Sequence, residues 1–206
     1  MLIKWNGHAS FTIRLKNGLT IVTDPFDPSV GYECPTDCAD IVTVSHGHSD
    51  HSYTQSLTGP KRIIDKAGEY AFDGVSVSAM RSFHDAERGA KRGENLLVKI
   101  QAEGKTVVHL GDLGHEPDAS QLAFIADADV MMIPIGGYFT IDTDTALDIV
   151  KKARPRKVIP MHYKTPAINF PISDEKAFAK ALDAVYCGKR EMDADELFSA
   201  TVFQYK

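Results

Sequence analysis

Residues 45–51 read SHGHSDH, three histidines and an aspartate within seven positions of a chain that holds eight histidines in all. The run follows ADIVTVS, which has the length and β-branched content of a buried strand. A strand-to-loop junction has no structural need for imidazole, so the run calls for a chemical explanation. In extended backbone, residues two apart project to the same side. If the backbone stays extended, His46, His48 and Asp50 can converge while His51 points elsewhere, a geometry that could place two ligands on one ion and hand Asp50 and His51 to a neighbouring one. Neutral imidazoles beside a carboxylate suit Zn²⁺, Fe or Mn²⁺. The histidines exclude an all-oxygen Ca²⁺ site.

The elements that must position this run are legible on either side of it. SFTIRL and LTIVT flank Lys16-Asn17-Gly18, a strong hairpin signal, and a loop rich in breakers runs from Asp24 to about Asp40. After the histidines, RIID, VSVSAM, NLLVKIQ and KTVVHL read as strands, the last two joined by Ala102-Glu103-Gly104. From Gly111 the pattern changes to alternating strands and helices. Asp118 is an N-cap for ASQLAFIA, with Gln121 placed to complete a capping box. DVMMIPI is a buried strand, and Asp142 to Ala153 an amphipathic helix, acidic at its start and basic at its end. KVIP is a short strand, Asp174 to about Tyr186 a last helix, and SATVFQY a closing strand. The pattern is a single α/β domain, compatible with two sheets face to face and helices outside.

At 206 residues, 43% apolar and 25% charged, the chain can bury a core without disulfides or metal. The net charge of −5 argues against a nucleic-acid partner. Cys34, Cys38 and Cys187 are too few for a disulfide framework and fit loop thiols in a reducing cytosol. The opening MLIKWNGHASFTIRL lacks both a basic leader and an uninterrupted apolar core, so no signal peptide is expected. No apolar run approaches the ~20 residues that span a bilayer. A soluble, cytoplasmic protein without a membrane partner is expected, its oligomeric state open, a homo-oligomer included.

SHGHSDH also matches the H-x-H-x-D-H signature, through which the chain resembles the metallo-β-lactamase superfamily of hydrolases. WNGHASF, TDPF, HLGDLGH and PMHYKT stand in the order of their counterparts there, so the similarity covers nearly the whole chain. Together they resemble the small-hydrolase branch that includes ascorbate-6-phosphate lactonase-like proteins. The resemblance implies a four-layer αββα sandwich, two mixed β-sheets flanked by helices, over residues 1–206. It also implies a binuclear metal centre. His46, His48 and a third histidine would bind one ion; Asp50, His51 and His162 would bind the other; Asp112 would bridge both. Asp24 matches an aspartate that orients a ligand from behind.

For the third histidine we choose His84, which ends a strand candidate and begins a charged loop. His109, three residues before Asp112, should face the opposite way, and His115 reads as a loop residue. His8 in GHAS fits a structural role and a pocket role equally. Two divalent cations, zinc first with manganese or iron also fitting, lower the pKa of a shared water so that hydroxide forms at neutral pH. A metal-bridging hydroxide would then attack carbonyl carbon or phosphorus. Asp50 is the candidate catalytic residue, accepting the water's proton or fixing its direction. Arg88 and Arg92, in the loop after His84, are candidate substrate-binding groups for phosphate or carboxylate.

The expected activity is thus metal-dependent hydrolysis of a small anionic ester, lactone or phosphodiester. The alternatives are a metal-dependent nuclease, which would want a basic grip that this chain lacks, and a diiron redox protein of the same fold. Redox relatives carry glutamate in place of the second histidine of the motif, and His48 and His51 argue against that reading.

Overall fold

In the computed structural model, which describes residues 1–59 and 62–205, the Asn17-Gly18 turn forms as its sequence predicts. Gly18 takes φ +92°, and the strands on either side pair antiparallel with Arg14 opposite Thr20. Strands β1 (Leu2–Gly7), β2 (Ser10–Arg14), β3 (Thr20–Thr23), β4 (Ile41–Thr43) and β5 (Arg62–Ile64) belong to one sheet. A second is built from β6 (Gly68–Phe72), β7 (Val75–Phe83), β8 (Glu94–Ala102), β9 (Lys105–His109), β10 (Val130–Pro134) and β11 (Val158–Met161). Of the remaining strands, β12 (Val185–Tyr186) pairs with β14 (Thr201–Val202), while β13 (Glu191–Asp193) joins the edge of the first sheet beside β1.

The sheets are six-stranded, ordered β13-β1-β2-β3-β4-β5 and β11-β10-β9-β8-β7-β6. Each is mixed: β1 to β3 and β6 to β9 run antiparallel to their neighbours, and the strands that follow pair in parallel. This is the sandwich of two mixed sheets expected above. The alternation of side chains decides where the core lies. Ile21 and Ile41 enter one large cluster with Ile3, Phe11 and Ile13 of the first sheet and Val77, Leu97, Ile100 and Met131 of the second. Val22 and Val42, one position along, turn to the opposite face and pack with Ala39, Val44 and Leu57.

Among the described residues, helices α1 (Ser49–Ser52), α2 (Ala119–Ile125), α3 (Thr143–Ala153) and α4 (Lys176–Ala181) complete the chain. The Asp118 carboxylate accepts from the N–H groups of Ser120 and Gln121, and Gln121 Oε1 returns a bond to the Asp118 N–H, so the predicted capping box is present. Asp142 caps α3, which buries Ala146, Ile149 and Ala153 along one stripe. The last helix is shorter than its sequence predicts. It ends at Ala181, Asp183 takes φ +49°, and Val185-Tyr186 leaves to pair with Thr201-Val202. A β-branched and an aromatic residue prefer that pairing to another helical turn. No helix among the described residues is long and apolar enough to cross a membrane.

Candidate metal centre

The residues singled out by chemistry collect at one end of the sandwich. Asp24 follows β3, His46 to His51 follow β4, His84 follows β7, Asp112 follows β9, and His162 follows β11. The carboxyl ends of strands are where open α/β sheets place ligand sites, because the loops there are free to vary. Two glycines allow the close approach. A Cβ on Gly111 would meet Asn95 Oδ1 at 2.3 Å and Ser45 Cβ at 2.6 Å, and one on Gly114 would meet the His84 carbonyl carbon at 2.3 Å.

The backbone through the histidine run does not stay extended, so the two-residue parity does not hold, while Asp50 and His51 do fall in a group apart from His46 and His48. His48 is the N-cap of α1, and Ser49–Ser52 closes one helical turn. A turn of about 3.6 residues breaks the two-residue parity. Asp50 is thereby swung away from His46 and His48. Ligand atoms of His46, His48 and His84 lie within 4.8 Å of one another, as do those of Asp50, His51 and His162 with His8. His46, His51 and Asp112 form a third such group, which lies between the other two by sharing members with each. Asp112 Oδ2 is 3.2 Å from both His84 Nε2 and His162 Nε2, and its Oδ1 is 3.2 Å from His51 Nε2.

A second layer of polar residues turns the rings. Asp24 Oδ2 is 2.8 Å from His51 Nδ1 and 2.6 Å from Ser45 Oγ, and Oδ1 accepts from the Ser45 N–H at 2.8 Å. An ionised carboxylate can only accept, so His51 carries a hydrogen on Nδ1, and Nε2 is the nitrogen turned toward the cluster. The Ser45 hydroxyl hydrogen is likewise committed to Asp24. Its oxygen then accepts from His46 Nδ1 at 3.0 Å, which bares His46 Nε2. Asn95 holds the Asp112 N–H at 2.9 Å, while its amide nitrogen donates to Ser82 Oγ and the Leu110 carbonyl. Ser45 and Asn95 carry no sequence signal of their own, since a polar residue in or beside a strand is ordinary until its partner is known.

Imidazoles and carboxylates set each other's charge here. Burial would raise the Asp112 carboxyl, but His162 and His51 outweigh it and hold it well below the usual range. Burial would lower His51, yet Asp112 and Asp50 hold it well above its ordinary value. His46, with burial first and the His51 charge second, falls to about 3 and is a neutral ring at physiological pH. Among the described residues, seven buried side-chain atoms lack a partner in hydrogen-bonding geometry. Six of them are His8 Nδ1, His46 Nε2, His51 Nε2, His84 Nδ1, Asp112 Oδ1 and His162 Nδ1. Buried polar atoms are rarely left unpaired, and all six belong to residues of the three ligand groups, as in a site built for cations. The imidazole–carboxylate donor set suits transition metals.

The other histidines are accounted for. His109 Nε2 donates to the Ala9 carbonyl at 2.7 Å, and its Nδ1 accepts from the Gly111 N–H at 3.1 Å, so both nitrogens are occupied. His115 is occupied in the same way by the Phe83 N–H and the Glu116 carbonyl. Arg92, Lys66 and Arg81 line a cavity of about 610 Å³ that borders His46 and His48. Arg92 also donates to the Tyr138 carbonyl at 3.0 Å and lies over the Phe139 ring. Arg88 is exposed with φ +55° and is not among the residues lining this cavity. The loop that carries both arginines is wound around Asp85, whose carboxylate accepts from the N–H groups of Glu87, Gly89, Lys91 and Arg92.

A family model described as a Beta-lactamase superfamily domain matches residues 2–162. A UPF0173 metal-dependent hydrolase of Pelotomaculum thermopropionicum is 31% identical over 89% of this chain and 92% of its own length. Another, from Thermoplasma acidophilum, is 29% identical over 79% of this chain and 83% of its own. A solved structure from Thermotoga maritima, assigned to the Zn-dependent hydrolases of the metallo-β-lactamase superfamily, superposes with a TM-score of 0.81 at 34% identity, covering 98% of this chain and 97% of that one.

Proposed function

The chain belongs to the metallo-β-lactamase superfamily of metal-dependent hydrolases, and from that membership we propose that it cleaves a small anionic ester, lactone or phosphodiester at a two-cation centre. The observation that carries the reading is the set of three ligand groups, each within 4.8 Å, that are joined through the shared His46 and His51. His46, His48 and His84 would hold one cation and Asp50, His51 and His162 the other, with Asp112 shared. Zinc is our first assignment, and manganese or iron the next, given the carboxylates. Two such cations, when bound, supply Lewis acidity and bring the pKa of water into the neutral range.

The chain's own groups supply the rest. Asp50 is the carboxylate of this cluster with access to solvent: its side chain is 24% exposed, against 2% for Asp112 and 1% for Asp24. We therefore assign Asp50 the proton-accepting or water-orienting role, and Asp24 the role of fixing the His51 ring. Arg92 and Lys66 in the cavity beside His46 and His48, whose lining also holds Asp65 and the Arg81–Glu94 pair, support an anionic substrate of small size. The ascorbate-6-phosphate lactonase-like chemistry falls within this substrate class. Residues 1–206 would act as one such domain of a cytoplasmic protein, without a membrane or nucleic-acid partner.

The test is metal analysis of the purified chain coupled to a screen of lactones, thioesters, carboxylic esters and phosphodiesters, with and without chelator. Chelator-sensitive turnover of an anionic member is the expected result. A flat screen at full metal occupancy overturns the small-ester reading.

A further inference from the structure

His8 is completely buried, in the turn between β1 and β2, and its side chain reaches the second ligand group. Its Nε2 is 3.2 Å from Asp50 Oδ2. Its ring centroid lies 4.1 Å from that of His162 and 5.1 Å from that of His51. Its main-chain carbonyl accepts the His162 N–H at 3.1 Å and the Trp5 Nε1–H at 3.1 Å. One residue thus touches Asp50, His51 and His162 together.

The backbone is bent to achieve this. His8 has φ +53°, a left-handed conformation that residues with a side chain rarely adopt. It follows Gly7, at φ +113°, where a Cβ would meet the Tyr32 ring at 2.6 Å. A strained backbone persists where its surroundings over-determine it, often at functional sites. A histidine that only fills a core finds protein partners for both nitrogens, as His109 does with Ala9 and Gly111. For His8 the side-chain hydrogen-bond partner is Asp50, and Nδ1 has none.

We propose that His8 is a positioning residue for the second cation's ligands, holding the Asp50 carboxylate with its Nε2–H and the His162 backbone with its carbonyl. This rests on the two-cation reading above. The hydrogen must sit on Nε2 because the ionised carboxylate accepts only. His8 would then fix which way Asp50 faces, as outer partners of metal ligands do.

The test measures Zn²⁺ uptake by wild type, His8→Ala, His8→Gln and His8→Met against a chromophoric chelator, with Co²⁺ absorption spectra at saturation. Gln places an amide N–H where Nε2 stood; Met matches its length without a donor. Expected is a second-equivalent affinity lower by about ten- to hundredfold in His8→Ala and His8→Met, with the first equivalent unchanged. His8→Gln should recover most of the loss and keep the wild-type Co²⁺ bands. Should His8→Ala fail to fold, the Gln and Met pair carries the same comparison. An unchanged second affinity without the donor, an equal loss of both equivalents, or shifted Co²⁺ bands in His8→Gln each overturn the proposal. Wild type taking up one equivalent overturns the two-cation reading, and this proposal with it.

Discussion

His51 Nδ1 and Asp24 Oδ2 meet at 2.8 Å with both side chains buried, and this contact decides which nitrogen of His51 faces the cluster. Asp24→Asn can present an amide N–H at that position. Nδ1 would then have to accept, and the hydrogen would move to Nε2, the atom facing Asp112 and Asp50. We expect metal affinity to fall by about ten- to hundredfold with the secondary structure kept. Chelator competition and circular dichroism on the same sample check this; full affinity in the variant would refute the orienting role.

Asp112 touches members of both ligand groups, and His162 of only one. Asp112→Ala is therefore expected to disturb uptake of both cations, and His162→Ala that of the second alone. Both should abolish turnover, because each removes a group that the reacting centre needs. Metal content per chain, measured beside activity, separates the two cases. Full activity with wild-type metal content in either variant would sink the assignment.

Arg92 and Arg88 sit four residues apart in one loop but differ in placement. Arg92 lines the cavity beside His46 and His48; Arg88 points to solvent. Loss of one charge-assisted contact costs about 1.4 kcal/mol or more, roughly tenfold. Arg92→Ala should raise KM for an anionic substrate by about that factor, and Arg88→Ala should leave it unchanged. Equal KM values in all three proteins would remove the anion-binding role.

Much of the site was legible because its chemistry restricts residue type. Histidine and aspartate at strand ends, as in SHGHSDH, HLGDLGH and PMHYKT, have few structural uses there. The grouping was less legible. The single helical turn at Ser49–Ser52 is too short to show a periodic pattern, yet it sends Asp50 away from His46 and His48. Ser45, Asn95 and His8 act through partners distant in sequence or through the tautomer of a neighbour, and spacing encodes neither. Among the strands, β1, β6 and β13 have no clear sequence signal: LIKWNG and GEYAF lack a clean alternation of apolar and polar positions, and EMD is too short to show one. The second half of the expected last helix was lost to strand pairing with Thr201-Val202, a tertiary effect that outranks local propensity.

Asp37 makes the fold's stability sensitive to acid at a point apart from the ligand groups. Its carboxylate meets Arg14 Nη2 at 2.6 Å, Lys4 Nζ at 3.3 Å and Thr12 Oγ1 at 3.1 Å, tying the loop before β4 to β1 and β2. Burial would raise this carboxyl, but the Lys4 charge and the bonds from Lys4, Arg14 and Thr12 outweigh it and hold it below its ordinary value. The unfolded chain, with a carboxyl near ~3.9, therefore takes up the proton first as pH falls. The contribution is complete above about pH 4 and is lost as pH drops through the lowered folded value. Asp37→Asn should cost about 1–2 kcal/mol at neutral pH. In urea unfolding measured from neutral pH into the acid range, the gap between wild type and variant should narrow as Asp37 protonates. A gap that stays constant through that range would show that the charge of Asp37 contributes nothing to stability.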